Sequence, residues 1–401
     1  MTTPGFQYKI EISSRSDLLT LLNEACELEH GLACSYLYAA FSLKQQLEEG
    51  GLTWEQLHVV RRWAAQLYLV ASQEMFHLAQ VWNLQVAIGG TPYYMRPNFP
   101  VVSKYYPLGL GIALEPFSRQ SIKRFIAYEM PRGMERKGQL GFVNEDSLDY
   151  RTVGELYDLI HAGFTALDGP DLFIGKPALQ ATPALIDFPE IVPVTKLADA
   201  HEAISRIVEQ GEGGAIDHVD SHYGIFKSIL EEYEQLTKSA EPQFQPVRPA
   251  VTNPALAPRP GYYHANQAFI TNDFTAEVAD LFDDLYVLMM RVLQFTFTID
   301  EPRRRDLARY AIGMMPMVVK PLGDALMLLP AGRLFPGRSA GPAFTLGRHV
   351  PLPADFGLAI RLIKERSATL KDRLSSLAES STALDQLQSA ARNFTHLHDT
   401  L

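Results

Sequence analysis

The sequence holds only two cysteines, Cys26 and Cys34. Two thiols cannot build a Cys-x-x-Cys zinc pair of pairs, and these two do not form the haem-attachment Cys-x-x-Cys-His. They fall eight residues apart in one predicted helix, over ~10 Å along its axis, and so cannot bridge each other. They read as reduced thiols of a cytoplasmic protein. Long apolar runs are also lacking: the longest, Ala311 to Pro330, is interrupted by Pro316, Lys320, Pro321 and Asp324 and cannot span a bilayer. Met1 to Ser16 is polar, without the apolar core or cleavage signature of a targeting segment. Basic charge is scarce. The formal net charge is -10 with no basic stretch to offset it, which argues against a nucleic-acid partner; with no spanning run, no membrane partner is expected either. Gly109-Leu110-Gly111 leads to no third glycine at dinucleotide spacing, and no Walker-type Gly-Lys-Ser/Thr occurs. Gly337-Arg338-Ser339-Ala340-Gly341 has the spelling of a nucleophile elbow, but Pro336 and Pro342 flank it where that motif needs a strand and a helix.

What is plentiful is apolar residues at helical spacing. At 401 residues and 47% hydrophobic content, the chain can bury a large core as one big domain or two. From about Asp17 to Lys44, Leu18, Leu21, Leu22, Ala25, Leu28, Leu32, Ala33 and Tyr36 recur every three to four residues, which predicts an amphipathic helix. Glu29 lies inside that stripe, whereas Glu27 faces outward beside Asn23, Glu24 and His30. A second helix is predicted from an N-cap at Thr53, with Gln56 completing a capping box, to a stop at Gly89-Gly90 before Pro92. On it, Leu67, Val70, Ala71, Leu78 and Val81 surround Glu74, while Val70, Val81 and Leu84 share a face with His77. A buried, unpaired carboxylate costs several kcal/mol, so inward acids call for a cation, a proton or a metal. One inward Glu followed by Glu-x-x-His on the next helix is half of a carboxylate-bridged dimetal site of the kind four-helix bundles hold.

The opposing half is predicted between Ala198 and Tyr233. Two apolar helical faces there are separated by Gly211-Glu212-Gly213-Gly214, which reads as a helical hairpin. Glu209 and Glu212 stand at its tip and His222 on the returning helix beside Tyr223. No strict Glu-x-x-His occurs, because Val219 takes the position three before His222; the carboxylate is expected from Glu209 or Glu212. Glu155, three after Thr152, reads as part of a helix cap. Glu129 ends a helix on the Ile122, Phe125, Ile126 face, and a salt bridge to Lys123, Arg124 or Arg132 is expected for it. His161 reads as a core or surface histidine.

These segments together resemble the ferritin-like domain of the iminophenyl-pyruvate dimer synthases. The likeness rests on Glu27-Leu28-Glu29 with Tyr36-Leu37-Tyr38, Glu74-Met75-Phe76-His77 leading to Ile88-Gly89-Gly90-Thr91-Pro92, Ile207 to Gly213, and Ser221-His222-Tyr223 with Phe226. Leu114-Glu115-Pro116-Phe117, Thr152 to Tyr157 and Leu172-Phe173-Ile174-Gly175 fit the same pattern, so residues 15 to 235 are covered. The resemblance implies an all-α, ferritin-like four-helix metal-binding core and work on amino-acid-derived small molecules in bacterial secondary metabolism. It makes Glu29, Glu74, His77, Glu209, Glu212 and His222 the expected metal shell.

Carboxylate and imidazole ligands suit iron or manganese better than copper(I) or a structural zinc. The reading is therefore an oxidase or oxygenase with two iron ions, manganese as the alternative, and dioxygen or peroxide as co-substrate. Tyr36 and Tyr223 are expected to support the ligands from behind. A mononuclear site stays open because one half is irregular; ferroxidase activity and a metal-free scaffold are the competing readings. The expected layout is a metal-binding domain over residues 1–240, a proline-rich linker over 241–263 holding Pro242, Pro246, Pro249, Pro254, Pro258 and Pro260, and a C-terminal helical region over 264–401. That last region either covers the bundle and walls off the substrate site or makes a dimer interface. Met289, Met290, Met314, Met315, Met317 and Met327 within it read as core filler. Tyr93 to Leu114 reads as a long loop packed over the bundle.

Overall fold

A computed structural model describes residues 11–102, 105–106, 111–131, 150–211, 219–239, 244–256, 266–381 and 384–401. Helix α1 (Arg15–Ser42) starts where Ser14 accepts a hydrogen bond from the Asp17 amide, and α2 (Trp54–Ala87) starts at the Thr53–Gln56 capping box. The two run antiparallel. Gln85 Nε2 donates to Asn23 Oδ1 at 2.7 Å near one end, and Tyr68 packs on Phe41 near the other, ring centroids 5.8 Å apart. Both middles are buried almost all round, which a helix tolerates only when covered on every side.

The other two positions of the bundle are each filled by a pair of shorter helices. The third is shared by α3 (Arg119–Tyr128) and α4 (Val153–Ala166). After the four-residue α5 (Pro183–Ile186), the fourth is shared by α6 (Leu197–Gly211) and α7 (His222–Ser239). Helix α4 packs on α6, where His161 and His201 stack with centroids 3.7 Å apart. Helix α3 packs on α7, where Arg119 Nε meets Glu234 Oε1 at 2.7 Å. Each broken pair therefore meets the unbroken α1–α2 pair at mid-height. The turn after α2 is held by Gly175, whose amide donates to Ala87 O at 3.0 Å. A Cβ there would stand 1.6 Å from Val86 O, so only glycine lets the two backbones approach this closely.

The remaining helices are α8 (Asp273–Phe295), α9 (Arg304–Met314), α10 (Lys320–Leu326), α11 (Phe356–Ser380) and α12 (Asp385–Asp399). Pro316 lacks the amide that would continue α9; the chain passes through a π-turn over Met315–Val319 before α10 resumes. One continuous apolar cluster joins these helices to the bundle, with Met289, Met290, Met314 and Met327 inside it. His30 on α1 bonds Tyr286 on α8, Nε2 to Oη 2.7 Å, and Gly323 on α10 abuts the ring of Phe41. The described part of the proline-rich stretch is extended and pinned to the end of α1: the Lys44 amide donates to Pro246 O and the Arg248 amide to Ser42 O. No helix among the described residues is long and apolar enough to cross a membrane. Cys26 and Cys34 are both buried and unbridged.

Candidate metal centre

Where the broken helices meet the unbroken ones, five buried side chains converge. Helix α1 supplies Glu29, α2 supplies Glu74 and His77, the C-cap of α3 is Glu129, and the first residue of α7 is His222. None is more than 4% exposed. They form two triads, Glu29–Glu74–His77 and Glu74–Glu129–His222, within each of which one donor atom per residue lies within 4.8 Å of the others. Glu74 belongs to both. Its Oε2 is 3.2 Å from His77 Nδ1, and its Oε1 is 2.8 Å from His222 Nδ1. His77 Nδ1 also reaches Glu29 Oε2 at 3.4 Å, and His222 Nδ1 lies 3.7 Å from Glu129 Oε2.

Four of the five are held from behind. The Tyr157 hydroxyl donates to Glu29 Oε1 and the Tyr36 hydroxyl to Glu129 Oε1. His77 Nε2 donates to Gln210 Oε1 at 2.9 Å and His222 Nε2 to Gln73 Oε1 at 3.1 Å. With both Nε2 protons so engaged, both imidazoles turn Nδ1 inward, the orientation that outer hydrogen bonds impose on metal-binding histidines.

The electrostatics follow from burying three carboxylates with two imidazoles. Burial, then the charge of Glu74, pushes the Glu29 carboxyl up to about 7. Burial also opposes ionisation of Glu74, but the His222 imidazolium outweighs it and holds the acid at about 2. Against the same burial, Glu29 and Glu74 raise His77 to about 10, and Glu74 with Glu129 raises His222 to about 9. In the metal-free chain, protons on the two imidazoles are thus the cations that make the buried acids tolerable.

The arrangement fits a metal on two observations. Glu74 Oε1 and His222 Nδ1 are fully buried and lack hydrogen-bond geometry despite their 2.8 Å separation. The 3.2 and 3.4 Å separations around His77 Nδ1 are also close to the ~3 Å edge expected between ligands that bind one ion at ~2.1 Å and right angles. Beside the triads lies a cavity of ≈ 20 Å³, bordered among the described residues by Leu32, Val153, Tyr157, Ile207 and Gly211. It has room for about one water-sized body.

The sequence-predicted residues divide accordingly. Glu29, Glu74, His77 and His222 are brought together, and Tyr36 stands behind the cluster. Glu209 is not in it: α6 buries Ala203, Ile204, Ile207 and Gly211, and a residue two beyond Ile207 points to solvent. Glu212 lies outside the described residues. Tyr223 is buried under Lys227, 5.3 Å from the ring centroid, and belongs to neither triad. The opposing carboxylate is Glu129, which meets Tyr36 and His222; of the cations expected to pair with it, Arg124 pairs with Glu115 and Arg132 lies outside the described residues. A hint was available, because an anion at a helix C-terminus on an apolar face needs a compensating cation. Gln73, Gln210 and Tyr157 carried no such signal. Thr152 caps α4 by accepting the Glu155 amide at 3.1 Å, and the Glu155 carboxylate binds Arg151.

Comparisons with known proteins agree with this architecture. The chain is 28% identical over 405 residues to the 2-imino-3-(indol-3-yl)propanoate dimerase of Chromobacterium violaceum, covering 91% of this chain and 37% of that protein. It is 28% identical over 378 residues to the dichlorochromopyrrolate synthase of Lentzea aerocolonigenes, covering 84% and 36%. The chain thus spans little more than a third of these curated relatives. A crystal structure of a ferritin-like protein from Caulobacter vibrioides superposes with a TM-score of 0.50 at 18% identity, over 83% of this chain and 99% of that one, a likeness of fold. The ferritin-like family model matches residues 22–231, more than half of the chain. With Glu29, Glu74, His77, Glu129 and His222 gathered at the centre of its four-helix core, the chain belongs to the ferritin-like family.

Proposed function

We propose that this chain is a metal-dependent oxidoreductase that binds two iron ions, with manganese as an alternative, and acts on an amino-acid-derived small molecule. The observation that carries the reading is Glu74, which turns one oxygen toward each histidine and so belongs to both triads that would hold the metal. Iron bound here supplies electron exchange with dioxygen or peroxide. The chain's own contribution is geometric and dielectric. Glu29 and Glu129 are fixed by Tyr157 and Tyr36, the imidazoles by Gln210 and Gln73, and Leu32, Val153 and Ile207 keep bulk water away.

The substrate class comes from the named relatives, one a dimerase of an indolic imine and the other a synthase of a chlorinated chromopyrrolate. Joining two imines of aromatic 2-imino acids by a new carbon–carbon bond removes two hydrogens, hence two electrons and two protons. Dioxygen reduced to hydrogen peroxide, or peroxide reduced to water, accepts them.

A second reading is iron oxidation without an organic substrate, which the ≈ 20 Å³ cavity favours because an indole ring does not fit it as it stands. One experiment separates the two. Iron(II)-loaded protein is given oxygen with and without 2-imino-3-(indol-3-yl)propanoate formed in situ from indole-3-pyruvate and ammonium. Oxygen uptake that requires the imine, yields a product of twice its mass less hydrogen, and disappears in Glu74→Gln supports the oxidoreductase. Ferric iron formed at the same rate with or without the imine supports the ferroxidase. Failure to retain iron at all leaves the metal-free scaffold.

A further inference from the structure

On the C-terminal side of the molecule, a cavity of ≈ 380 Å³ opens between α8 and α11. Leu288 and Arg291 of α8, Leu362 and Ile363 of α11, and Val350 and Leu352 of the connecting segment form its walls. The size falls in the range of small-molecule sites, and the walls are apolar except for a few charged groups. Those charged groups are not equivalent. Arg366 is committed to Asp284, Nη2 to Oδ1 2.6 Å. Arg291 is committed to nothing: among the described residues it forms no ion pair, and its Nε is buried without a hydrogen-bond partner. Glu365, on the same wall, is solvent-exposed and does not pair with it.

Arg291 is half-buried, and its Nε has lost its water without gaining a partner, so an anion at the guanidinium would stabilise it. A planar, forked donor is matched best by a carboxylate. The apolar residues around it ask for a hydrophobic body attached to that carboxylate, and the acid at Glu365 disfavours a second negative charge on the ligand. We propose that this cavity binds a small amphipathic monocarboxylate, its anionic head on Arg291 and its aryl or branched alkyl body between Leu288, Val350 and Leu362. The site is separate from the metal centre, and its assignment stands whatever reaction that centre performs.

The test uses the whole chain and three probes in calorimetric titration: 4-phenylbutyrate, 4-phenyl-1-butanol and acetate. The site predicts that 4-phenylbutyrate binds at least tenfold more tightly than the alcohol, which keeps the body and loses the charge, and that acetate, charge without body, binds too weakly to measure. Arg291→Met should lower 4-phenylbutyrate affinity at least tenfold and leave the alcohol unchanged, with an unaltered thermal melt, since the arginine has no partner to lose. Glu365→Gln should tighten carboxylate binding a few-fold and serves if the first variant proves unstable. Equal affinity for acid and alcohol, acid binding unchanged in Arg291→Met, or no acid binding at all would overturn the proposal. Acid binding that survives Arg291→Met but is lost in Glu74→Gln would move the carboxylate to the metal centre.

Discussion

Glu74 Oε1 and His222 Nδ1 stand 2.8 Å apart across α2 and α7 without sharing a hydrogen bond, while the other oxygen of the same carboxylate faces His77 at 3.2 Å. Glu74 is thereby common to two ligand sets that otherwise share no residue. If both sets bind iron(II) or manganese(II), single substitutions should remove metal unequally. Under anaerobic titration, the unaltered chain is expected to retain about two equivalents after desalting. Glu29→Gln and Glu129→Gln should each retain about one, and Glu74→Gln almost none. Metal content by mass spectrometry reads the outcome directly. Two full equivalents in Glu129→Gln would strike Glu129 from the ligand set, and one equivalent in the unaltered chain would make the site mononuclear.

Gln73 and Gln210 test the same geometry from outside. Each accepts the Nε2 proton of an inward-facing histidine, at 3.1 Å for His222 and 2.9 Å for His77. Gln73→Leu and Gln210→Leu remove that acceptor and free the ring to change tautomer or rotate. Metal affinity should fall by roughly 10–100-fold in each, the usual cost of losing an outer-shell partner. Glutamate at either position restores an acceptor and should recover most of the affinity. Titration with manganese(II) followed by electron paramagnetic resonance measures both, and an unchanged dissociation constant in both leucine variants would show that the rings are held by packing alone.

How far these features can be read from sequence depends on whether the signal is local. Helices α1 and α2 were legible because a 3.6-residue stripe, a capping box and a Gly-Gly stop are all written within one segment, and the inward phase of Glu29, Glu74 and His77 follows from the same stripe. The second half of the centre depends on how two interrupted helices are stacked, which no periodicity records. At the tip of α6 the apolar phase places Gln210 against His77 and turns Glu209 to solvent. Glu129 was visible as an anion in an unfavourable place, yet its partners, Tyr36 and His222, are 93 residues back and as many again forward in the chain. Arg291 and Val350 likewise meet only in the fold.

Asp283 on α8 gives the chain a pH dependence remote from the metal centre. Thr345 N donates to its Oδ1 at 3.0 Å, Oδ2 is buried without a partner, and burial pushes the carboxyl up to about 7. The folded state therefore holds a proton that the unfolded chain releases near its ordinary value of 3.8. Between those two values the native protein binds more protons, so the stabilising contribution is complete below about pH 4 and is lost as pH rises to about 7. The loss is on the order of 4 kcal/mol. Asp283→Asn keeps the acceptor for Thr345 and removes the ionisation. Its melting temperature should fall less between pH 5 and pH 8 than that of the unaltered chain, by ~5 °C. Parallel melting curves for the two proteins would contradict the assignment.

Arg248 fastens the described part of the proline-rich stretch to the bundle, and its loss should be felt more than that of any surface pair. Its guanidinium is nearly buried. Nε and Nη2 donate to the two oxygens of Glu49 at 2.6 and 3.0 Å, and Nη1 donates to Phe41 O at 2.7 Å, near the C-terminus of α1. Burial alone would raise the Glu49 carboxyl, but Arg248 outweighs it and holds the acid below its ordinary range. Arg248→Met keeps the packing of the stem and removes the donors, which leaves Glu49 partly buried and unpaired and the Phe41 carbonyl without its side-chain partner. Breaking a buried pair from one side costs about 3–5 kcal/mol, and the partial exposure of Glu49 favours the lower end. The variant should melt several degrees lower, and hydrogen exchange should quicken over residues 43–51 and 244–256. Much of that cost is the stranded acid, so adding Glu49→Gln to Arg248→Met should return part of the lost stability. A double variant as unstable as the sum of the two singles would mean that Arg248 and Glu49 act independently, and that the connector is held by its backbone hydrogen bonds to Ser42 and Lys44 instead.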